Sequence, residues 1–146
     1  EFKGFLSPEE TRMEMEKADI FVMTSNFLEG WGSVIYEALS SGCAVIASHA
    51  AGATPFLVKQ GRTGFVFKSG SDESLAEKLE IVLRNRELAR DLGRSAYENM
   101  QKYWNPKVAA ERVVEMSEAM LKGGTVEYKH GPLSKCTDIY NNWFKE

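Results

Sequence analysis

The fold of this chain is decided by residues 18–48, which read ADIFVMTSNFLEGWGSVIYEALSSGCAVIAS. The continuous apolar run at 18–25 is typical of a strand buried on both faces. A glycine turn follows, and then a helix that we expect to run from about Gly32 to Ser41. A second apolar run at 43–48 predicts another buried strand. A strand, a helix and a strand in this order predict parallel pairing with a right-handed crossover.

The sequence upstream predicts two further elements. Residues 2–6 are apolar enough to predict a short strand. Ser7 can cap a helix, Pro8 suits the first helical position, and Glu10 completes a capping box. We therefore expect the first helix to begin at Pro8 and to run to about Lys17.

The sequence downstream is mainly helical. The sequence predicts a helical turn at 54–59 and a strand at 65–67. Three helices are then predicted, from 72, at 87–104 and at 106–122. Together with the upstream elements, this pattern predicts an α/β fold with a Rossmann-like, doubly wound parallel sheet and a helical C-terminal region. We expect residues 1–124 to form this domain, and residues 125–146 to form a tail or one crossing helix.

The composition excludes several classes of protein. Hydrophobic residues make up 43% of the 146 residues, which suffices for one ordinary globular core. The net charge of -3 gives no support to a nucleic-acid-binding surface, so no nucleic-acid partner is expected. No apolar run approaches the roughly 20 residues that span a bilayer, and the first residues do not resemble a signal peptide. Cys43 and Cys136 lie far apart without a metal-ligand pattern, and two free thiols would fit a cytoplasmic location.

Two carboxylates on either side of the glycine turn indicate a ligand site. Glu29 precedes the turn, and Glu37 follows eight positions later within the predicted helix. Carboxylates accept hydrogen bonds from hydroxyls, and a helix N-terminus offers unpaired N–H groups with a partial positive charge. Because Glu37 lies beside apolar Ile35 and Ala38, where an unpaired buried glutamate would be costly, we expect it to contact the ligand. A nucleotide-diphosphate sugar has the required hydroxyls at both ends and phosphate in the middle.

These residues resemble the donor-binding half of a family-four retaining glycosyltransferase with the GT-B fold. The resemblance depends on an ordered set of segments rather than on one motif. The segments are FKGF at 2–5, ADIFV at 18–22, EGWG at 29–32, EAL at 37–39, GCAVIAS at 42–48 and GRTGFVF at 61–67. They cover roughly the first half of the chain, and the helical remainder is compatible with the family.

The resemblance implies a role for each residue around the turn. Glu29 is expected to be the catalytic residue, which accepts hydrogen bonds from the donor sugar near the reacting carbon. Glu37 is expected to bind the ribose hydroxyls, and the nucleotide base is expected beside Gly4 and Phe5. Helix N-termini bind phosphate, so the donor sugar and diphosphate are expected to contact Gly30, Trp31, Gly32, Ser33 and Val34.

The implied reaction is transfer of a hexose-type sugar with retention at the anomeric carbon. The donor would be a UDP- or GDP-sugar, and the acceptor a glycan or lipid-linked acceptor in polysaccharide biosynthesis. Metal-dependent glycosyltransferases of the other major fold carry an Asp-x-Asp pair, which this sequence lacks, so we expect neither metal nor cofactor. Such acceptors are compatible with peripheral membrane association of the full-length enzyme.

The chain departs from the family pattern in two respects. The family has an upstream unit with a basic pair that grips the diphosphate, and an N-terminal domain that binds the acceptor, and neither has a counterpart here. We therefore expect a fragment of a longer enzyme that is inactive in isolation. The second departure is at Pro55 and Phe56, where many relatives have a glutamate.

Two other functions stay open from the sequence. One is a non-catalytic module that binds a nucleotide sugar, in which replacement of Glu29 would leave transfer untouched. The other is a GT-B-type epimerase that acts on the nucleotide sugar itself. Such an epimerase needs several acid and base residues around the sugar, and the sequence offers few of them near the turn.

Overall fold

The centre of the protein is a parallel sheet of three strands in the order β1–β2–β3. A computed structural model describes residues 1–136 and 139–145 of the chain. The strands are β1 (Ile20–Met23), β2 (Ala44–Ser48) and β3 (Gly64–Phe67). Ile46 of β2 lies opposite Val22 on one side and Phe65 on the other. Because the strands are parallel, their carboxyl ends meet at one edge, and the predicted α/β fold is confirmed.

Helices pack on both faces of this sheet. They are α1 (Pro8–Lys17), α2 (Ser33–Ser40), α3 (Thr54–Leu57), α4 (Asp72–Leu83), α5 (Arg86–Tyr103) and α6 (Pro106–Leu121). The side chains of β2 alternate between the two faces, as in any strand. Val45 and Ala47 pack in one hydrophobic cluster with residues of α2 and the second half of α5. Ala44 and Ile46 pack in the other cluster with residues of α4 and the first half of α5.

The start of α1 follows the sequence signal closely. The Ser7 hydroxyl accepts a hydrogen bond from the Glu10 amide at 3.2 Å, and the Glu10 carboxylate accepts one from the Ser7 amide at 2.8 Å. These two bonds satisfy donors that a helix N-terminus otherwise leaves without intrahelical partners. The predicted capping box and the end at Lys17 are both confirmed.

Two predicted strands differ in the structure. Residues 2–6 form no strand, because Gly4 is left-handed at φ 71° and interrupts the extended backbone, so that Phe2 and Phe5 are exposed. The strand expected at 18–25 is shorter and is not buried on both faces. Within the described residues β1 pairs on one side only, with β2, and only its last residue is buried.

The segment after α6 contains no helix in the parts that the structure describes, 122–136 and 139–145. The predicted division into a domain at 1–124 and a tail or crossing helix at 125–146 stays a prediction. The prediction for residues 137, 138 and 146 lies outside the described residues. None of the described helices has the length and apolar character that a membrane crossing requires.

Candidate functional site

The candidate site begins at the N-terminus of α2. The cap residue Gly32 is in the left-handed region, at φ 80° and ψ 57°, and no side chain among the described residues caps this helix end. The Ile35 amide already donates to the Gly32 carbonyl at 3.0 Å, so helical hydrogen bonding begins at once. The Ser33 and Val34 amides, which precede Ile35, have no intrahelical acceptor and lie at the positive end of the helix dipole. An anionic group placed here would accept hydrogen bonds from these amides and would lie at the positive end of the dipole.

The loop after β2 holds the glycine turn in place. The Gly52 amide donates to the Gly30 carbonyl at 3.0 Å, and the Ala53 amide donates to the Trp31 carbonyl at 2.7 Å. A Cβ atom on Gly52 would lie only 2.3 Å from the Gly30 oxygen, so this approach of two backbones requires glycine. The turn therefore lies at the carboxyl edge of the sheet, between the ends of β1 and β2, where open α/β sheets bind their ligands.

Glu29 is half-buried beside the start of α2. The Asn26 side chain accepts a hydrogen bond from the Leu28 amide at 2.9 Å, and the Asn26 carbonyl accepts one from the Glu29 amide at 3.0 Å. Glu29 lines an open cavity with Thr24, Ser25, Asn26 and Leu28. Sequence reasoning missed Asn26 as the residue that positions Glu29. The signal was present, because asparagine commonly starts turns by bonding the backbone two residues ahead.

Glu37 lies in α2, one helical turn beyond Ser33, and is exposed. The expectation that it is buried is wrong, because α2 directs Ile35, Ala38 and Leu39 into the core and leaves Glu37 outside. Glu37 lines a cavity of about 760 Å³, together with Phe5. One of the predicted base residues, Phe5, thus lines the same cavity as the predicted ribose residue. The structure does not place Glu29 and Glu37 in one cavity.

Gly4 and Trp31 occupy the two flanks of this region. Gly4 precedes Phe5 and is exposed. The Trp31 ring is 46% exposed and lies 5.6 Å from the Phe56 ring, centroid to centroid. Phe56 lies where many relatives have a glutamate, and its ring contacts the Trp31 ring of the glycine turn. Both rings line a cavity of about 300 Å³ that reaches His49.

His49, at the end of β2, has a structural partner. Its Nδ1 accepts a hydrogen bond from the Ser69 amide at 2.9 Å, which ties the loop after β3 to the loop after β2. The His49 carbonyl accepts a hydrogen bond from the Trp143 indole at 3.1 Å, so the tail packs against the same loop. His49 thus connects the loops after β2 and β3, and Trp143 fixes the tail to it.

Within residues 1–136 and 139–145 no cluster of side chains suits a metal ion, and the Cys43 thiol is buried. In the described part of the chain, no three His, Cys, Asp or Glu residues are grouped to hold a metal ion. Burial, and to a smaller extent the charge of Asp19, raise the pKa of the Cys43 thiol to about 11. The thiol donates to the Met15 carbonyl at 3.1 Å. Cys43 is therefore a buried structural residue, and metal independence stays a prediction.

Comparison with known proteins gives the family. The sequence profile described as "Glycosyl transferases group 1" matches residues 1–99, which include every predicted site residue. This chain belongs to the glycosyl transferases group 1 family. The match ends within α5, so α6 and the tail of this group 1 domain lie beyond it.

Curated relatives are much longer than this group 1 domain. It is 34% identical over 122 residues to the sulfoquinovosyl transferase SQD2 of Arabidopsis thaliana, which covers 82% of this chain and 24% of the relative. It is 27% identical over 104 residues to the capsular polysaccharide biosynthesis glycosyltransferase CapM of Staphylococcus aureus. This match covers 71% of this chain and 27% of the relative. The chain thus spans about a quarter of the length of the curated relatives that it matches.

Solved structures agree with the fold. The C-terminal domain of LpcC, a glycosyl transferase group 1 family protein from Francisella tularensis, is 30% identical with a TM-score of 0.62, over 68% of this chain and 51% of that one. HepE from Anabaena, solved in complex with UDP, is 25% identical with a TM-score of 0.62. This match covers 72% of this chain and 29% of HepE. The group 1 domain therefore has the Rossmann-like architecture of GT-B proteins.

Proposed function

We propose that this domain binds the nucleotide-sugar donor of a retaining, family-four glycosyltransferase. The enzyme transfers a hexose-type sugar from a UDP- or GDP-sugar to a glycan or lipid-linked acceptor in the cytoplasm, as part of polysaccharide biosynthesis. The group 1 domain supplies the donor site, and a second domain of the longer enzyme supplies the acceptor site.

The observation that carries this proposal is the uncapped N-terminus of α2. It opens at Gly32, at the carboxyl edge of the sheet, with Glu29 before it and Glu37 one turn beyond Ser33. Ser33 and Glu37 are four residues apart, hence on one face and separated by roughly 6 Å along the helix axis. That distance suits a diphosphate on the first amides and a ribose on Glu37. The cavity shared by Glu37 and Phe5 extends this line toward a base.

The proposed chemistry needs little from the protein beyond positioning and charge. The bond from the anomeric carbon to the diphosphate oxygen breaks, and its electron pair goes to the diphosphate. The acceptor oxygen bonds to the same face of the sugar, and its proton passes to the departing phosphate oxygen. The α2 amides stabilise the charge that develops on the leaving group, and Glu29 holds the sugar hydroxyls. We propose that no metal or cofactor takes part, because these amides meet the leaving charge.

Titration of nucleotide sugars against the full-length protein tests the donor site. We expect one UDP- or GDP-sugar to bind, and Glu37→Gln to weaken its binding about tenfold because a charged acceptor is lost. Glu29→Gln is expected to lower kcat about 100-fold while donor binding persists. Glu118→Gln, on exposed α6, is the matched control and should change neither quantity.

Three results would count against the proposal. If no nucleotide sugar binds, or if Glu118→Gln weakens binding as much as Glu37→Gln, the donor site is not on this face of α2. If Glu29→Gln turns over at the wild-type rate, the domain is a non-catalytic binding module.

A further inference from the structure

Positively charged residues from two separate segments surround a second cavity, which we call the basic pocket. Its volume is about 540 Å³. The cationic or protonatable side chains that line it come from the loop before β3 and from the segment after α6, namely Lys59, Arg62, Lys129, His130 and Lys135. Among the described residues that line it, none is an aspartate or a glutamate.

The charges of the basic pocket are not neutralised within the described part of the chain. None of its lysines, nor Arg62 or His130, has a carboxylate within 4.0 Å there, whereas other lysines and arginines of the protein form ion pairs. The Lys59 ammonium donates to the Pro55 carbonyl at 3.1 Å. Although Lys59 as a residue is exposed, neighbouring atoms shield its ammonium, and this burial lowers the Lys59 pKa. Grouped like charges repel, and an anion among them would remove that repulsion.

Specific contacts hold the second segment of the pocket in place. The Arg112 guanidinium of α6 donates to the carbonyls of His130 and Pro132. Gly131 is buried and left-handed at φ 89°, and a Cβ atom there would lie 2.8 Å from the Tyr103 carbonyl. The Tyr128 hydroxyl donates to the Glu115 carboxylate at 2.7 Å. Lys129, His130 and Lys135 are thus presented by a loop that is fixed to the end of α5 and to α6.

The remaining walls of the basic pocket combine rings with neutral polar groups. Phe56, Tyr103 and Trp104 supply aromatic surface, and Gln60, Asn99 and Ser134 supply hydrogen-bonding groups. The volume lies within the range of cavities that bind small molecules, about 300–1,000 Å³. A ligand that suits these walls has a polyanionic group and an organic part that packs against the rings.

We propose that the basic pocket is a second binding site, for a phosphorylated ligand. Phosphate accepts several charge-assisted hydrogen bonds from lysine and arginine, which matches the cations gathered here. Phe56 contacts the pocket on one side and the Trp31 ring of the glycine turn on the other, so the two sites are neighbours separated by one side chain. This inference does not depend on the donor site. The phosphate belongs either to a free phosphate ester or to the headgroup of a lipid.

The test uses inorganic pyrophosphate as the probe and NMR chemical shifts of the full chain as the readout. We expect the Trp104 indole and the amides of residues 129–131 and 133–135 to shift on titration. Lys59→Gln combined with Arg62→Gln should weaken the affinity for pyrophosphate, measured from these shifts, about tenfold or more, because two charged donors are lost. Arg90→Gln combined with Lys122→Gln removes the same charge from exposed positions outside the pocket and should leave the affinity unchanged.

A second arm distinguishes the source of the phosphate. Co-sedimentation compares vesicles of phosphatidylglycerol with vesicles of phosphatidylcholine. A lipid headgroup is identified if the protein binds the phosphatidylglycerol vesicles and if the Lys59/Arg62 double variant, but not the control pair, loses this binding. Pyrophosphate shifts without vesicle binding identify a soluble ester. The proposal is overturned if neither probe binds, if shifts are confined to residues 30–34, or if the control pair loses binding to the same extent.

Discussion

Single glycine residues decide the shape of the candidate donor site. Gly32 adopts the left-handed conformation that starts α2 without a side-chain cap. Gly52 brings a second backbone against the turn, where any side chain would collide with the Gly30 carbonyl. Gly30 has the opposite environment, because a Cβ atom there would meet nothing within 4 Å. The sequence predicts that Gly30 and Gly32 lie in the turn, but only the structure shows that a side chain would collide at Gly52 and not at Gly30.

Gly52→Ala should destabilise the protein by about 2 kcal/mol, since the new methyl group must displace backbone rather than a flexible side chain. Gly30→Ala is the matched control, and its effect is expected to stay within about 0.5 kcal/mol. Denaturant unfolding of both variants measures the difference. Equal stability of the two variants would show that the loop after β2 is not packed on the turn.

At the level of elements, helix starts are the most predictable feature of this chain. Ser7, Ser71, Asn85 and Asn105 each accept a hydrogen bond from an amide three residues ahead, at the starts of α1, α4, α5 and α6. These bonds connect neighbours in sequence, so the residue types themselves signal them. The strand expected at 2–6 is absent because Gly4 adopts a left-handed conformation, which glycine permits but the apolar pattern does not reveal.

Asn105 joins two elements, and its replacement tests this local control. Its side-chain oxygen accepts from the Val108 amide at 3.0 Å, and its side-chain nitrogen donates to the Gln101 carbonyl at 2.7 Å. Asn105→Ala should lower the free energy of unfolding by about 1 kcal/mol, as loss of an N-cap usually does. Asn105→Asp keeps the acceptor and should retain most of that energy. Thermal and urea unfolding give both values, and equal losses would rule out the cap as their source.

At the level of the whole molecule, α5 joins the two hydrophobic clusters. Ala96 and Met100 pack in one cluster, and Ala89 and Leu92 pack in the other. The helix reaches the sheet closely at Gly93, where a Cβ atom would lie 2.0 Å from the Gly42 carbonyl. A helical glycine would ordinarily weaken α5, so this one is explained by tertiary packing rather than by helix propensity.

Gly93→Ala reverses the usual sign of a helical glycine substitution. Alanine normally stabilises a helix interior by about 1 kcal/mol relative to glycine, but here we expect a loss of about 3 kcal/mol. Ser95→Ala, two residues along the same helix, serves as the control and should lie within about 0.5 kcal/mol of the wild type. Chemical unfolding followed by circular dichroism gives both numbers. A stabilised Gly93→Ala protein would contradict the observed approach of α5 to the sheet.

The sequence by itself determined the order of helices and strands from α1 to α6, the helix starts and the glycine turn with Glu29 and Glu37. Those features depend on apolar periodicity and on hydrogen bonds between near neighbours, which residue types encode directly. Only the tertiary structure decided that Glu37 faces outward beside Phe5, that Gly52 supports the turn, and that distant cations form the basic pocket. The physical reason is that these contacts join residues far apart in the chain, and the folded packing of several elements sets their positions.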